Sequence, residues 1–385
     1  MKSWIWVIIT IAAIGLVFGL SAWYEVPLLP RPSEVIGFQK GPYLLYPGKN
    51  TQMTILWQLN ESADCTLEWG VDTRYEVGSV ITQEINKDHQ HRYTLTDLLP
   101  GTNYVYRVGA GERFSTGSFR AAPPDDGESV KFLVYGDTRS YPQRHDEVCR
   151  ILLNTIRQDS AYQTFLLHAG DWVGDGNSES DWNKQYFCRT CFNTLKLQVN
   201  LPILGCMGNH EGSGELFQKY WPYPFVADRY WSFDYGPVHV VTLDQYADYD
   251  PRSAQYQWLE RDLQESMKPW KFVLLHEPGW SAGHHQNNVA VQEYLQPLLE
   301  VHDVAMVIAG HNHYYARCEV NGVWHLTTGG GGAPLYSPDP SASHVVTASK
   351  RRHFCTIEIE GDLLTFQAVG EDGTILDTFS MTKSE

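Results

Sequence analysis

Apolar and polar residues alternate along the first part of the chain that follows its amino-terminal segment. Residues 51–59 read TQMTILWQL, and shorter runs with the same alternation occupy residues 65–70 and 92–98. A period of two is typical of strands that bury one face and expose the other. The sequence therefore predicts a domain made only of strands, which we place over residues 38–121.

A turn and a tyrosine pattern refine this prediction. Pro100 and Gly101 form a turn that leads into a run containing Tyr104 and Tyr106. This arrangement fits the corner of a β-sandwich, where a tyrosine hydroxyl returns to nearby backbone. The stretch 38–121 resembles a fibronectin type III-like domain.

The pattern changes after residues 121–127, which read as a linker rich in Pro and Asp. From there, apolar runs alternate with segments of helical periodicity. The predicted strands cover 131–135, 164–168, 271–275, 304–309, 353–360 and 363–369, and the predicted helices cover 146–157, 256–267 and 289–301. We expect a second domain of mixed strands and helices over residues 128–382, closed by the hairpin at its end.

Metal-binding side chains stand where five of the apolar runs end. They are Asp137, Asp171, Asn209, His210, His276, His311 and His313. Because open α/β sheets bind ligands at the carboxyl ends of their strands, we expect these side chains to meet at one edge. Carboxylate, amide and imidazole ligands without cysteine suit zinc, manganese or iron.

A two-metal phosphoester site needs a bridging carboxylate and enough neutral ligands to limit its negative charge. We assign Asp171 as the bridge and Asp137 as a terminal carboxylate on one ion. The neutral ligands are then Asn209, His276, His311 and His313, with the last two divided between the ions.

The ordered motifs Gly-Asp, Gly-Asp, Gly-Asn-His-Glu, an apolar strand ending in His, and Gly-His-x-His resemble those of the calcineurin-like metallophosphoesterases. With the sandwich domain in front, residues 38–380 resemble the purple acid phosphatase branch. The resemblance implies an α/β (α+β) fold, a four-layer metallophosphoesterase β-sandwich flanked by helices. It also implies a metal-dependent phosphoester hydrolase in which a metal-bound hydroxide attacks phosphorus in line.

The resemblance also implies roles for individual residues. The ligands of the first metal would be Asp137, Asp171 and His313, and those of the second would be Asp171, Asn209, His276 and His311. His210 would contact the phosphate or transfer a proton, while His284 and His285 would line the substrate pocket. The two ions would be divalent or trivalent iron, zinc or manganese.

Two positions depart from the family pattern. Purple acid phosphatases carry a metal-binding tyrosine three residues after the second Asp, where this chain has Gly174. Related phosphoesterases place a histidine two residues after the first Asp, where this chain has Arg139. We therefore expect a depleted first metal site, with the Arg139 guanidinium available for the phosphate because its planar fork matches phosphate oxygens.

Residues 3–24 contain no charged side chain, and the run is long enough to cross a bilayer. Its length and the tryptophans near both ends favour an uncleaved signal anchor over residues 1–24. The small residues Ser21 and Ala22 keep a cleavable signal peptide as the competing interpretation. Either way we expect a protein outside the cytoplasm, membrane-anchored or secreted, with 25–37 as a linker.

The chain has seven cysteines, too few for a disulfide scaffold. Cys188 and Cys191 form its single C-x-x-C pair. Without a second pair at zinc-site spacing, we favour a local disulfide there over a structural zinc site.

Charge narrows the possible partners. The chain carries 29 basic and 45 acidic residues, a net charge of −16, which argues against nucleic-acid binding through a broad basic face. A phosphate ester would be drawn in by metal ions instead. Besides a phosphomonoesterase, two alternatives stay open: a phosphodiesterase or nucleotidase with the same site, and a non-catalytic surface protein that uses its sandwich domain for adhesion.

The substitution at Gly174 predicts a colourless protein, because the phenolate ligand that colours purple acid phosphatases has no counterpart at this position. The visible absorption spectrum of the iron-loaded protein checks this expectation. A strong phenolate-to-iron band would contradict it.

Overall fold

The computed structural model describes residues 37–85 and 87–383. The predicted signal anchor over 1–24, and all but the last residue of the linker over 25–37, lie outside this range. Among the described residues, none of the helices combines the length and the apolar character that a membrane span requires.

The first part of the described chain consists of seven strands in two antiparallel sheets. The strands are β1 Phe38–Leu45, β2 Met53–Leu59, β3 Cys65–Gly70, β4 Gly78–Thr82, β5 Gln90–Leu95, β6 Asn103–Ala110 and β7 Arg113–Arg120. One sheet has the order β1-β2-β5 and the other β4-β3-β6-β7. The expectation of a domain made of strands is confirmed, while the fibronectin type III label stays a prediction.

The predicted tyrosine corner is present. The hydroxyl of Tyr104 accepts a hydrogen bond from the backbone N–H of Leu99 at 3.0 Å, across the Pro-Gly turn. Trp57 is fully buried and stacks on His91, with ring centroids 5.2 Å apart. All seven residues of β2 are buried, so both faces of this strand are covered, whereas the alternating pattern predicts one exposed face.

The second part contains two mixed sheets. Its strands are β8 Ser129–Tyr135, β9 Leu166–His168, β10 Ile203–Gly205, β11 Trp231–Tyr235, β12 Val238–Thr242, β13 Trp270–Leu274, β14 Val304–Ala309, β15 Tyr315–Val320, β16 Val323–Thr328, β17 Val345–Ser349, β18 His353–Glu360, β19 Leu363–Gly370 and β20 Ile375–Thr382. One sheet has the order β10-β9-β8-β18-β19-β20, and the other β11-β12-β13-β14-β16-β15-β17. The expected hairpin is confirmed as β18 and β19, which β20 extends.

Helices cover the outer faces of these sheets. The α-helices are α1 Pro142–Gln158, α2 Glu179–Asp181, α3 Phe192–Gln198, α4 Glu215–Tyr220, α5 Ala254–Glu265 and α6 Gln296–Val301. The helix predicted over 289–301 instead begins as a π-helical turn, Val291–Leu295, and continues as α6. Pro297 lies in the first turn of α6 and has no N–H for a bond to the preceding turn, so the backbone widens there.

The two mixed sheets pack face to face, and their outward faces carry the helices. Phe272 of β13 meets Phe132 of β8 edge to face, with centroids 5.5 Å apart. The next residue, Val273, points to the opposite side and shares a buried cluster with Leu259 of α5. Val148 of α1 packs on the other sheet. This arrangement confirms the predicted four layers.

The sandwich domain contacts the second domain through buried polar side chains. Lys40 is only 1% exposed and donates hydrogen bonds to Gln58 and, at 3.2 Å, to Glu179 at the start of α2. The hydroxyl of Tyr43 donates to the carbonyl of Tyr220 at 2.8 Å. The bond to Glu179 anchors α2, whose following turn carries a side chain that supports the candidate site, and the bond to Tyr220 anchors the end of α4.

His239 of β12 shows why a histidine on an apolar strand need not be catalytic. Its two ring nitrogens lie 2.7 Å from Asp234 and 2.8 Å from Asp262. Burial opposes the charged form, but the two carboxylates outweigh it and raise the pKa of His239 to about 9. The residue therefore has a structural role.

The pKa of His239 predicts a pH-dependent stability. Its ion pairs contribute fully below about pH 6.5 and are lost as pH rises through about 9, because the folded protein then no longer binds the extra proton. Relative to His239→Gln, the wild type should lose ~2 kcal/mol of unfolding free energy between pH 6 and pH 9.5. Urea unfolding at several pH values measures this. Parallel stability curves for the two proteins would refute the assignment.

Candidate metal centre

The candidate site lies where the carboxyl ends of strands from both mixed sheets meet. β8, β9 and β10 are parallel neighbours, as are β12, β13 and β14. Asp137 and Asp171 follow β8 and β9, Asn209 follows β10, and His276 and His311 follow β13 and β14. The prediction that these strand-end residues share one edge is confirmed.

The turns that carry the side chains are tight. Asp137, Asp171 and His311 have φ values of 58°, 58° and 67°, a region that non-glycine residues rarely adopt. At Gly170, with φ of 85°, an added Cβ would lie 2.5 Å from Nδ1 of His276. Such turns let the backbones approach closely enough for ligands from different strands to converge.

The glycine run after β16, residues 329–332, packs closely against the site. An added Cβ at Gly329 would lie 2.3 Å from the carbonyl of Asn312 and 2.9 Å from Oδ2 of Asp137. Only a residue without a side chain fits this approach. The run therefore closes the floor of the site.

Two buried carboxylates define the centre. Asp137 is 0% and Asp171 1% exposed, and their oxygens lie with a nitrogen of His276 within 4.8 Å of one another. Burial raises the pKa of Asp171, but His276, His210 and Arg139 outweigh it and hold that pKa below its usual value. Two buried anions this close require positive charge between them.

The imidazoles are oriented by backbone carbonyls. Nδ1 of His276 lies 2.7 Å from the carbonyl of Ala169, and Nδ1 of His313 lies 2.7 Å from that of Pro334. Each ring donates its Nδ1–H to that carbonyl, which leaves the Nε2 lone pair directed into the centre. This outer-shell arrangement is typical of metal-binding histidines.

The residues expected at the second metal converge on one point. Oδ1 of Asn209 lies 3.2 Å from Nε2 of His276 and 3.1 Å from Nδ1 of His311, and Oδ1 of Asp171 lies 3.3 Å from Nε2 of His276. Burial first, and then His276 and His285, lower the pKa of His311 to about 3, so its ring is neutral at pH 7. The neutral imidazole of His311, the His276 ring, an amide oxygen and a buried carboxylate fit a borderline metal ion here.

The first metal position is arranged differently. Nε of Arg139 donates to Oδ2 of Asp171 at 3.0 Å, and its Nη2 lies 3.3 Å from Nε2 of His313. Gly174 contributes only backbone, and its N–H donates to Oε1 of Gln185 at 2.8 Å. A guanidinium thus lies between two of the three side chains expected to hold the first ion.

His210 borders the open side of the centre. Its Nδ1 lies 2.6 Å from the carbonyl of Gly174, and its Nε2 lies 3.9 Å from Oδ2 of Asp171. The side chain is 30% exposed, so its Nε2 can face a bound substrate. The geometry is compatible with the proton-transfer role, which stays a prediction.

The two histidines of the predicted pair, His284 and His285, lie at different distances from the centre. The ring of His285 lies 4.2 Å from that of His311, and its backbone N–H donates to Asn312 at 3.0 Å. His284 is exposed and stacks on Tyr336 at 3.5 Å. His285 therefore borders the centre, while His284 lies one ring further out.

Glu211 is a supporting residue whose role the sequence did not indicate. It is fully buried, and its carboxylate accepts the backbone N–H groups of Asp171 at 3.0 Å, Trp172 at 2.8 Å and Gly208 at 2.7 Å. One carboxylate thus ties the loop after β9 to the loop after β10. In the sequence, the only indication of this role was the place of Glu211 in the Gly-Asn-His-Glu motif.

Gln245 and Tyr336 were also missed. Oε1 of Gln245 accepts the backbone N–H of His276 at 2.7 Å. The ring of Tyr336 stacks on that of His313 with centroids 4.2 Å apart. Both reach the site from loops whose sequence carries no metal-binding pattern, so only the fold brings them there.

Two polar residues near the site, His168 and Asp175, have structural roles. The ring of His168 stacks on Trp172 at 3.8 Å, and burial lowers the pKa of His168 well below its usual value, so it is a neutral core histidine. Oδ1 of Asp175 accepts the N–H of Asn177 at 3.0 Å and closes a turn.

Two family models match the chain. Residues 130–315 match that of the calcineurin-like phosphoesterases, and residues 40–121 match that of the purple acid phosphatase N-terminal domain. The two matches follow the division into a sandwich domain and a mixed domain described above. The resemblance read from the sequence motifs is confirmed at this level.

Individual relatives are acid phosphatases from plants and animals. The chain is 29% identical over 241 residues to the probable purple acid phosphatase 20 of Arabidopsis thaliana. The alignment covers 57% of this chain and 53% of that protein. It is 24% identical over 374 residues to acid phosphatase type 7 of Danio rerio. This alignment covers 84% of this chain and 80% of that protein. The chain thus spans little more than half of the plant relative's length.

Solved structures share the fold. The purple acid phosphatase PPD1 of yellow lupin (Lupinus luteus) superposes with a TM-score of 0.73 at 19% identity, covering 89% of this chain and 74% of that one. A structure of PhoD superposes with a TM-score of 0.70 at 13% identity and covers 90% of both chains. The described residues therefore adopt a metallophosphoesterase fold.

Glu211 should control metal affinity through the backbone that it holds. Glu211→Gln replaces one accepting oxygen with an amino group that faces backbone donors, so the loops carrying Asp171 and Asn209 should shift apart. We expect metal affinity to fall by about 10–100-fold, measured by competition with a chromogenic chelator. Glu215→Gln, an exposed change just beyond the same loop, is the control. Equal affinities in the two variants would show that Glu211 does not position the ligands.

Proposed function

We propose that this chain is a metal-dependent phosphoester hydrolase that acts outside the cytoplasm, with phosphate monoesters as its substrates. The observation that supports it most directly is the convergence of Asp171, Asn209, His276 and His311 at the joint edge of two sheets. Oxygen and imidazole donors around a buried carboxylate fit metal-assisted hydrolysis. The similarity to acid phosphatases over both domains supports the same reaction class.

A bound metal ion would supply Lewis acidity toward the phosphate and would make a water molecule more acidic. The protein supplies the rest of the chemistry. Nε2 of His210 faces the open side and is the candidate donor of a proton to the departing alkoxide. Because the Nδ1–H of His210 is committed to the Gly174 carbonyl, Nε2 carries a transferable proton only in the imidazolium form, and that form would be the proton donor.

The surroundings of the open side favour a small dianionic group. Arg139 borders it from one side and His285 from the other, and both offer N–H groups to phosphate oxygens. A monoester at neutral pH carries more negative charge than a diester, so donors on several sides favour it. This argument supports the monoesterase over the phosphodiesterase or nucleotidase alternative.

One observation on the described residues supports a location outside the cytoplasm. Cys188 and Cys191 form a disulfide, and the other five cysteines are free and buried. Disulfides persist in oxidising compartments and are rare in the cytosol. The amino-terminal segment on which anchoring depends lies outside the described residues.

Hydrolysis of para-nitrophenyl phosphate and of its bis ester, assayed with iron, zinc and manganese in turn, tests the proposal. We expect faster turnover of the monoester. His210→Ala should lower kcat by about 100-fold or more while metal content is kept, because it removes the proton donor but no ligand. Asn209→Ala should lose metal and activity together.

These variants also separate the alternatives. Preference for the bis ester would support the phosphodiesterase. Normal metal content without hydrolysis of either ester would favour the non-catalytic surface protein. Equal loss of metal in His210→Ala and Asn209→Ala would contradict the role of His210 as a proton donor.

A further inference from the structure

Arg139 contacts two of the three side chains that a metal ion at the first position would need. Its Nε donates to Oδ2 of Asp171 at 3.0 Å, and its Nη2 lies 3.3 Å from Nε2 of His313. The Nδ1–H of His313 is committed to the Pro334 carbonyl, so Nε2 presents a lone pair to the guanidinium. These two atoms, which would bind a metal ion, therefore already accept hydrogen bonds from the Arg139 guanidinium.

The guanidinium is held in this position by its neighbours. Nη1 of Arg139 donates to the hydroxyl of Ser140 at 3.3 Å, and the side chain is only 16% exposed. Tyr336 stacks on His313, which Arg139 contacts, with ring centroids 4.2 Å apart. Arg139 is therefore part of the wall of the site rather than a free surface side chain.

A metal ion and this guanidinium exclude each other. Both are cations, and both need Oδ2 of Asp171 and Nε2 of His313. A guanidinium remains charged in proteins, so repulsion between it and a metal ion persists. Gly174, across the loop, offers no side chain to add a ligand for a metal ion. The residues at the first position thus do not fit a metal ion while Arg139 remains in place.

The second position has no such competitor among the described residues. Asn209, His276 and His311 present an oxygen and two nitrogens to one another across 3.1–3.2 Å, and Oδ1 of Asp171 completes the set. Asp171 therefore faces two cation positions with its two oxygens, one on each side. Oδ1 is directed to the second metal position, and Oδ2 is directed to Arg139.

We propose that this chain holds a single metal ion, at the second position, and that Arg139 replaces the ion at the first. The inference rests on the proposed phosphoesterase function and refines it. The guanidinium offsets the charge of Asp171 and offers its remaining N–H groups to phosphate oxygens in a planar, paired arrangement. It cannot activate water, so that task stays with the single metal ion.

Metal stoichiometry of the purified full-length chain, reconstituted with manganese and freed of excess ion, tests this without reference to activity. We expect one equivalent per chain by mass spectrometry of the metal. The electron paramagnetic resonance spectrum should be that of isolated Mn²⁺. Two equivalents, or an exchange-coupled spectrum from neighbouring ions, would overturn the proposal.

Arg139→His removes the guanidinium and supplies a neutral ligand beside Asp137, Asp171 and His313. We expect this variant to bind a second equivalent of manganese and to give an exchange-coupled spectrum. Arg144→His is the matched control, because Arg144 is exposed and its guanidinium lies over Tyr141. It should keep one equivalent. A stoichiometry of one in Arg139→His would overturn the claim that Arg139 excludes the second ion.

The same samples distinguish this inference from the proposed function. Wild-type protein that hydrolyses para-nitrophenyl phosphate with two bound ions would keep the function and reject the single-metal centre. Protein with one ion and no hydrolysis of any phosphate ester would keep the stoichiometry and reject the function.

Discussion

Two buried carboxylates at the junction of two sheets set the constraint on which this structure depends. Asp137 and Asp171 are almost completely shielded from water, and neither can be stable there as an anion without a nearby cation. This requirement is met by three kinds of nearby group. They are the imidazole nitrogens, the Arg139 guanidinium and the backbone N–H of His311. The site is therefore arranged around negative charge that the fold itself imposes.

The backbone fixes the positions of the side chains in the site. Strained turns at Asp137 and Asp171 aim their carboxylates inward, and Glu211 holds the second turn by accepting several N–H groups. Strain of this kind costs roughly 1–3 kcal/mol per residue and persists only where surrounding contacts over-determine it. The face-to-face packing of the two sheets supplies those contacts, which links the core of the domain to the geometry of the site.

Much of this could be predicted from the sequence, because a short apolar run that ends in Gly marks a strand and its carboxyl end. Strand β3 and strand β14 match the predicted bounds, and the ligands after β8 to β14 meet as expected. Contacts that depend on long loops could not be predicted in this way. Tyr336 reaches His313 by a loop with no periodic pattern, and Glu211 acts on backbone N–H groups that no side-chain motif records.

The asymmetry between the two cation positions follows from what carries the positive charge at each. A backbone carbonyl orients a ligand ring at both positions, His276 at the second and His313 at the first. At the second position these donors would meet a metal ion, whereas at the first the Arg139 side chain carries the charge. A guanidinium is a permanent cation with directional N–H groups, whereas a metal ion is a Lewis acid with open coordination positions. Replacing one by the other keeps electrostatic stabilisation of the phosphate but removes one route to an activated water, so the hydrolysis that we propose would depend on the second position alone.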